Sequence, residues 1–169
     1  LNYGAAVHAD KWIPILPNTD AALQLAIAYV WITEGTYDKE YVAQHGHRFE
    51  EFKNHILGLG PDGTPKTPKW ASELSLVPAM DIKAIARRWA NSVTTGGSGM
   101  RGGFGGACRH SNGTEYARLM TLLFAMQGMG KPGRSFWSPA CGGPMNYNFW
   151  FDGYSDPLSS IAKYPICDN

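Results

Sequence analysis

Apolar residues occupy nearly every position from 21 to 34, and Gly35 follows directly. A helix without a polar face is a buried helix, so this pattern predicts a central helix over 21–34 that stops at the glycine. Just ahead of it, Pro17-Asn18-Thr19-Asp20 reads as a turn with three good helix-capping residues. Residues 12–16 read as a short strand or extended segment, with Pro14 favouring an edge or irregular pairing. Beyond Gly35, residues 37–44 and 49–57 have the look of two short amphipathic helices broken at Gly46. The proline- and glycine-rich stretch 59–69 is expected to be a surface loop, and 70–74 a helical turn.

Pro78 stands at a first helical position, and Ile82, Ile85, Ala86 and Trp89 recur at helical spacing, which predicts a helix ending near Asn91. Residues 93–95 are expected to begin a strand that runs into a glycine-rich stretch. Asn112 precedes Glu115 by three, the pattern of a capping box. Tyr116, Leu119, Met120, Leu123 and Met126 then share one helical face up to Gly128, and 130–133 reads as a tight turn. From 136 to 164 periodicity is lost while aromatic residues accumulate, so these rings must pack under a long loop or line a pocket.

Composition narrows the class only modestly. A chain of 169 residues that is 44% hydrophobic can build one core. Its formal net charge of +1, without a basic block, gives no sign of nucleic acid or of an anionic membrane surface. The apolar run at 21–32 is too short to span a bilayer, so no membrane insertion is expected. Cys108, Cys141 and Cys167 lack Cys-x-x-Cys spacing and read as small buried hydrophobes. The chain opens on Leu1 and ends on Asp168-Asn169, and is expected to be a piece of something larger.

The candidate chemistry lies in the glycines. Seven of them fall between Gly96 and Gly106, followed by Arg109 and His110 and then by the last helix. Glycine is costly to order unless the backbone must turn sharply or approach something closely. A glycine-rich turn entering a helix start also presents free N–H groups and the positive end of the helix dipole. With Arg109 at the junction, this stretch is expected to hold an anionic cofactor.

Gly97-Ser98-Gly99-Met100-Arg101-Gly102 matches G-x-G-x-x-G, yet the strand before it is short and the loop runs on to Asn112. It therefore lacks the strand–turn–helix setting of a dinucleotide fingerprint, although a nicotinamide dehydrogenase stays open as an alternative. The histidines (His8, His45, His47, His55 and His110) form no zinc pattern, and no serine sits in a G-x-S-x-G elbow. The sequence holds no self-contained catalytic set, which points towards cofactor chemistry.

Several motifs in order carry a family resemblance. They are residues 8–23 around Pro17-Asn18-Thr19-Asp20, Glu34 to Val42, Phe49 to Phe52, Lys66 to Ala71, Val77 to Ala79, the glycine stretch, Arg109-His110, Asn112-Gly113 and Gly128 to Gly133. Together they resemble the molybdopterin oxidoreductases of the dimethyl sulfoxide reductase superfamily, which hold molybdenum or tungsten between two molybdopterin guanine dinucleotides. One departure is Asn18, where the family usually has glycine in P-G-T-D; Asn tolerates similar turn geometry.

The resemblance implies an α/β fold, a three-layer sandwich with a mainly parallel sheet, forming the cofactor-binding domain of a larger multi-domain subunit. Residues 1–169 would be that single domain, inactive alone, with 134–169 an irregular aromatic-rich extension. It implies that Asn18, Thr19 and Asp20 contact the guanine nucleotide, and that Gly105, Gly106 and Arg109 contact the pterin. The protein ligand to the metal and any iron–sulfur clusters would lie elsewhere in the full chain, since neither Cys108 nor Cys141 stands at a ligand position.

The implied activity is oxygen-atom or hydroxyl transfer, extending to transfer of a hydroxyl between phenolic rings, with acetylene hydration or another oxotransfer as the alternative. On that view Tyr154 is a candidate acid/base, and Phe104 and Tyr147 are candidate substrate contacts. An iron–sulfur electron-transfer subunit is the expected partner, in an anaerobic setting, with a cytoplasmic or else periplasmic location. A non-catalytic interaction domain presenting the aromatics of 149–154 is the alternative from another class.

Overall fold

In this computed structural model residues 8–97, 107 and 110–137 are described. The central helix, α1, spans Asp20–Glu34 and ends on Gly35, whose φ of 67° is the left-handed conformation glycine adopts freely. Helices α2 (Lys39–His45) and α3 (Phe49–Leu57) follow, separated at Gly46. Helix α4 runs over Pro68–Ser75, longer than the turn expected at 70–74. Thr67 caps it by accepting the Trp70 N–H at 3.1 Å, and Pro68 fills the first position, where its missing N–H costs nothing. Helix α5 is Ala79–Ala90, strand β1 is Thr95–Gly97, helix α6 is Gly113–Met126 and strand β2 is Ser135–Trp137.

Helix α1 is apolar on most of its surface because other helices surround it: α3, α4, α5 and α6 all pack on it. Two clusters result. One gathers Ile27, Ala28, Val30 and Trp31 of α1 with Val42, Ile56, Ala86, Leu123 and Met126. The other joins Ala22 and Ala26 to Ala71, Val77 and Ile82. Small alanines on this second face let α4 and α5 come close. Trp31 is fully buried, and its indole N–H donates to the Ala86 carbonyl at 2.7 Å. Trp89 meets it edge-on at 5.0 Å. Burying one such large side chain contributes about 1.5–3 kcal/mol.

The sheet differs from expectation. Among the described residues it has two strands, β1 and β2, parallel and in register Thr95↔Ser135, Gly96↔Phe136 and Gly97↔Trp137. Helices with a small parallel sheet are thus observed, and a third layer is not seen among the described residues. β2 lies at the start of the extension that begins at 134. Residues 12–16 form no ladder. Leu16 instead donates its N–H to Ser75 at 3.0 Å, while Ile13 and Ile15 pack on the second cluster. Side-chain burial, not strand pairing, fixes this segment.

Ion pairs brace the helices. Arg87 of α5 forks onto Glu34 at the end of α1, with its Nη2 2.7 Å from Oε1, and holds that carboxyl below its ordinary range. Lys131 pairs with Asp38, whose other oxygen caps α2 through the Tyr41 N–H at 3.0 Å. The Asp38 N–H also bonds Met126 at 2.7 Å, so this residue ties α2 to the end of α6. Lys66, only 5% exposed, pairs with Asp62 and lies 5.1 Å from the Trp70 ring centre.

Candidate functional site

The turn ahead of α1 is built from proline and asparagine in the order a tight turn requires. Thr19 donates its N–H to the Leu16 carbonyl at 3.2 Å, with Pro17 and Asn18 between them. Pro17 supplies the fixed negative φ, and Asn18 stands at φ 69°, the arrangement of a type II turn. The Thr19 hydroxyl donates to the same Leu16 carbonyl at 2.6 Å. Thr19 is therefore the N-cap of α1 without a side-chain capping bond, because its hydroxyl is spent on closing the turn.

Asp20 follows as the first helical residue. Its carboxylate takes no hydrogen bond or ion pair from any described residue. The first backbone N–H groups to find a helical acceptor are those of Ala22 and Leu23, both bonded to Thr19, so the N–H groups of Asp20 and Ala21 have no described acceptor. The head of the central helix thus presents a carboxylate and two N–H donors that have no partner among the described residues.

A second turn is held against the first. Residues 110–113 close through the Gly113 N–H to His110 at 2.9 Å and open helix α6. Asn18 reaches this turn three times. Its amide donates to the Ser111 hydroxyl at 3.3 Å, its side-chain oxygen accepts the Asn112 N–H at 3.2 Å, and its carbonyl accepts the Asn112 amide at 3.4 Å. The expected capping box on α6 is consequently absent: Asn112 is the N-cap, but its side chain serves Asn18 and makes no capping bond. Beside the two joined turns runs an open groove of about 690 Å³, lined by Asn18, Thr19 and Asn112 together with Leu25, Phe52, Trp70 and Leu119.

Strand β1 leads into the expected cofactor loop. It ends at Gly97, where the glycine-rich stretch begins, and the carboxyl ends of parallel strands are where α/β folds place their ligands. A Cβ on Gly96 would sit 2.1 Å from Cζ of Phe124, so that ring lies directly on the strand. Phe124 stacks at 5.1 Å on Phe136 of β2 and lies 4.8 Å from Trp89. Glycine at 96 is needed for this close packing.

Of the sequence-derived candidates, Asn18, Thr19 and Asp20 are placed together at the head of α1. Phe104, Gly105, Gly106, Arg109, Tyr147 and Tyr154 lie outside the described residues. His110, Ser111 and Asn112, immediately after Arg109, are brought to the Asn18 turn. Among the described residues no three of His, Cys, Asp and Glu gather as a metal site. Reading the sequence alone missed Ser111 and the tertiary role of Asn112. It also passed over Gln24, a carboxamide buried inside an otherwise apolar helix.

Comparison with known proteins follows the same segments. No family model matches the chain. The chain is 52% identical over 156 residues to the pyrogallol hydroxytransferase large subunit of Pelobacter acidigallici, covering 92% of this chain and 18% of that protein. It is 37% identical over 131 residues to the dimethyl sulfoxide reductase DmsA of Escherichia coli K12, covering 70% of this chain and 16% of that one. Among solved structures, acetylene hydratase from Pelobacter acetylenicus superposes with a TM-score of 0.61 at 25% identity, over 78% of this chain and 16% of that chain. The chain therefore spans less than a fifth of the length of these relatives.

Proposed function

Because the chain belongs to the dimethyl sulfoxide reductase superfamily of molybdenum enzymes, we propose that it holds part of one molybdopterin guanine dinucleotide within a larger subunit. The observation that carries this reading is the joining of the Asn18 turn to the turn after Arg109 by three hydrogen bonds. Two segments that the family resemblance assigns to one cofactor are neighbours here, which supports the reading.

The residues present fit the group. Guanine offers a ring N–H beside an exocyclic amine, two donors side by side, and the Asp20 carboxylate is an acceptor with no other partner among the described residues. The unpaired N–H groups of Asp20 and Ala21 and the dipole of α1 favour a negatively charged ligand at this end. Asn18 adopts the φ that the family's glycine would adopt, so the departure from P-G-T-D preserves the turn. Gly105, Gly106 and Arg109 would serve the pterin and its phosphates, the glycines by close approach and the guanidinium by forked hydrogen bonds.

When bound, the molybdenum or tungsten centre supplies oxygen-atom or hydroxyl transfer. This chain supplies position and electrostatics, and alone it would be inactive. For the whole subunit we favour hydroxyl transfer between phenolic rings, as pyrogallol–phloroglucinol transhydroxylation. The supporting observation is the 52% identity to a pyrogallol hydroxytransferase large subunit. The likeness to acetylene hydratase supports a hydratase as the second reading. Tyr154 as acid/base and Phe104 and Tyr147 as substrate contacts belong to the first reading. So do iron–sulfur clusters elsewhere, a partner electron-transfer subunit and a cytoplasmic location. No helix among the described residues is long and apolar enough to cross a membrane.

The test uses the full-length subunit purified without air. Metal near one per subunit with two guanine nucleotides released is the expected result for the wild type. Asp20→Asn should lower nucleotide and metal content while far-ultraviolet circular dichroism stays unchanged. A wild type without metal or pterin would overturn the reading and leave the interaction-domain alternative.

A further inference from the structure

Helix α1 carries one polar side chain deep in its apolar body. Gln24 is 4% exposed, and neither its Nε2 nor its Oε1 has a hydrogen-bond partner among the described residues. Burying a carboxamide without partners is unfavourable, and nearly all buried polar groups in folded proteins are bonded. Such an orphan calls for a partner. An alanine at the same place would fit the run Ala21, Ala22, Ala26 and Ala28 and carry no such penalty.

Its position says where the partner sits. Gln24 is four residues after Asp20, so the two side chains rise from one face of the helix with Cβ atoms about 5–6 Å apart. Side chains on a helix lean towards its N-terminus, so the patch that Gln24 covers lies over the turn of the helix that carries Asp20. Among the described residues, the first turns of α1 therefore combine a carboxylate without a partner and a nine-tenths-buried carboxamide without one. The carboxylate only accepts, whereas the amide also donates.

A ligand edge that satisfies both presents two donors and then an acceptor. Guanine has that order along one edge: exocyclic amine, ring N–H, ring carbonyl. Adenine would set an acceptor nitrogen against the carboxylate, and cytosine two acceptors. Resting on the cofactor reading above, we propose that Gln24 is a specificity-determining contact. Its Nε2 donates to the carbonyl of the guanine whose N–H groups Asp20 accepts.

The test uses full-length subunit carrying Gln24→Met or Gln24→Glu, made in cells that assemble the guanine dinucleotide and in cells that cannot. Three quantities are read: guanine nucleotide released per subunit, its half-life on the protein after dilution, and the thermal midpoint of the cofactor-free form. Removing one well-formed hydrogen bond should shorten nucleotide retention by about tenfold in Gln24→Met. Gln24→Glu should lose more, since a carboxylate would face the carbonyl. The cofactor-free Gln24→Met protein should melt no lower than wild type, because an unpartnered amide has been replaced by an apolar chain of similar size.

Unchanged retention in both variants would overturn the assignment. So would a cofactor-free Gln24→Met protein that melts several degrees lower, since Gln24 would then be bonding the protein itself. If Asp20→Asn loses nucleotide and the Gln24 variants do not, the present inference fails while the cofactor reading stands. A wild type holding no guanine nucleotide overturns both.

Discussion

Asn18 and Asn112 bind each other reciprocally across 94 positions of sequence. The side-chain oxygen of Asn18 accepts the Asn112 N–H at 3.2 Å, and the Asn112 amide donates back to the Asn18 carbonyl at 3.4 Å. Asparagine suits the place twice, since it tolerates a positive φ and brings a side chain that glycine lacks. Asn18→Gly should keep the turn and the backbone carbonyl but lose both side-chain bonds of the clamp, raising amide exchange at 110–116 about tenfold if about 1.4 kcal/mol is lost. Asn18→Ala should add roughly 1 kcal/mol of left-handed strain. Peptide-resolved hydrogen exchange on the full-length subunit checks both, and equal behaviour of the two variants would remove the backbone argument.

Gly96→Ala tests the contact between strand and ring. The new methyl would need the space of the Phe124 ring, itself wedged between Phe136 and Trp89. Overpacking of this kind costs about 1–3 kcal/mol. The full-length protein should show a lower thermal midpoint and faster exchange at 95–97 and 135–137. Adding Phe124→Leu to the same chain should recover part of the loss, a coupling that a distant effect would not produce.

Acid should loosen the junction of α2 with α6. The ammonium of Lys131 first, and the Tyr41 N–H second, hold the Asp38 carboxyl below its ordinary value of 3.8. A carboxyl lowered in the folded state adds stability above its unfolded pKa, and that share is lost as pH falls through the folded value. Exchange at 38–45 and 126–131 should therefore accelerate below about pH 4. Asp38→Asn retains a capping oxygen but should lose the acid response, and Asp38→Ala should lose about 1 kcal/mol of capping as well. A response in Asp38→Asn equal to that of wild type would assign the effect to another group.

Trp31→Phe removes the buried donor to Ala86 and part of the contact with Trp89. About 1–3 kcal/mol should be lost. Slower-exchanging amides of α1 and α5 report it, and an unchanged protection pattern would mean that the hydrogen bond contributes nothing net.

The helical bodies were legible in the sequence because apolar spacing fixes them: α1, α3, α5 and α6 lie within a few residues of where periodicity put them. What periodicity does not encode was misplaced. Thr67-Pro68 is a cap and a first helical residue, yet it sat in a proline-rich run that read as loop. Asn112 matched a capping box, but a tertiary partner outcompeted the local bond. Residues 12–16 had strand composition and pair with no strand among the described residues. For the proposed site, the family pattern pointed to Asn18, Thr19 and Asp20, whereas Gln24 drew notice only when burial and missing partners could be read together.

The reciprocal asparagine contact also bears on the order of assembly. The cluster of Ala22, Ala26, Ala71, Val77 and Ile82 is complete within the first 82 residues of this segment, before the chain that forms α6 has been made. The Asn18 turn gains its partner only once residues 111 and 112 have been made. During synthesis, then, the first half can stand as a helical platform with a half-built site. On the proposed reading, a nucleotide arriving at that stage would meet Asp20 before the Asn112 turn has been made.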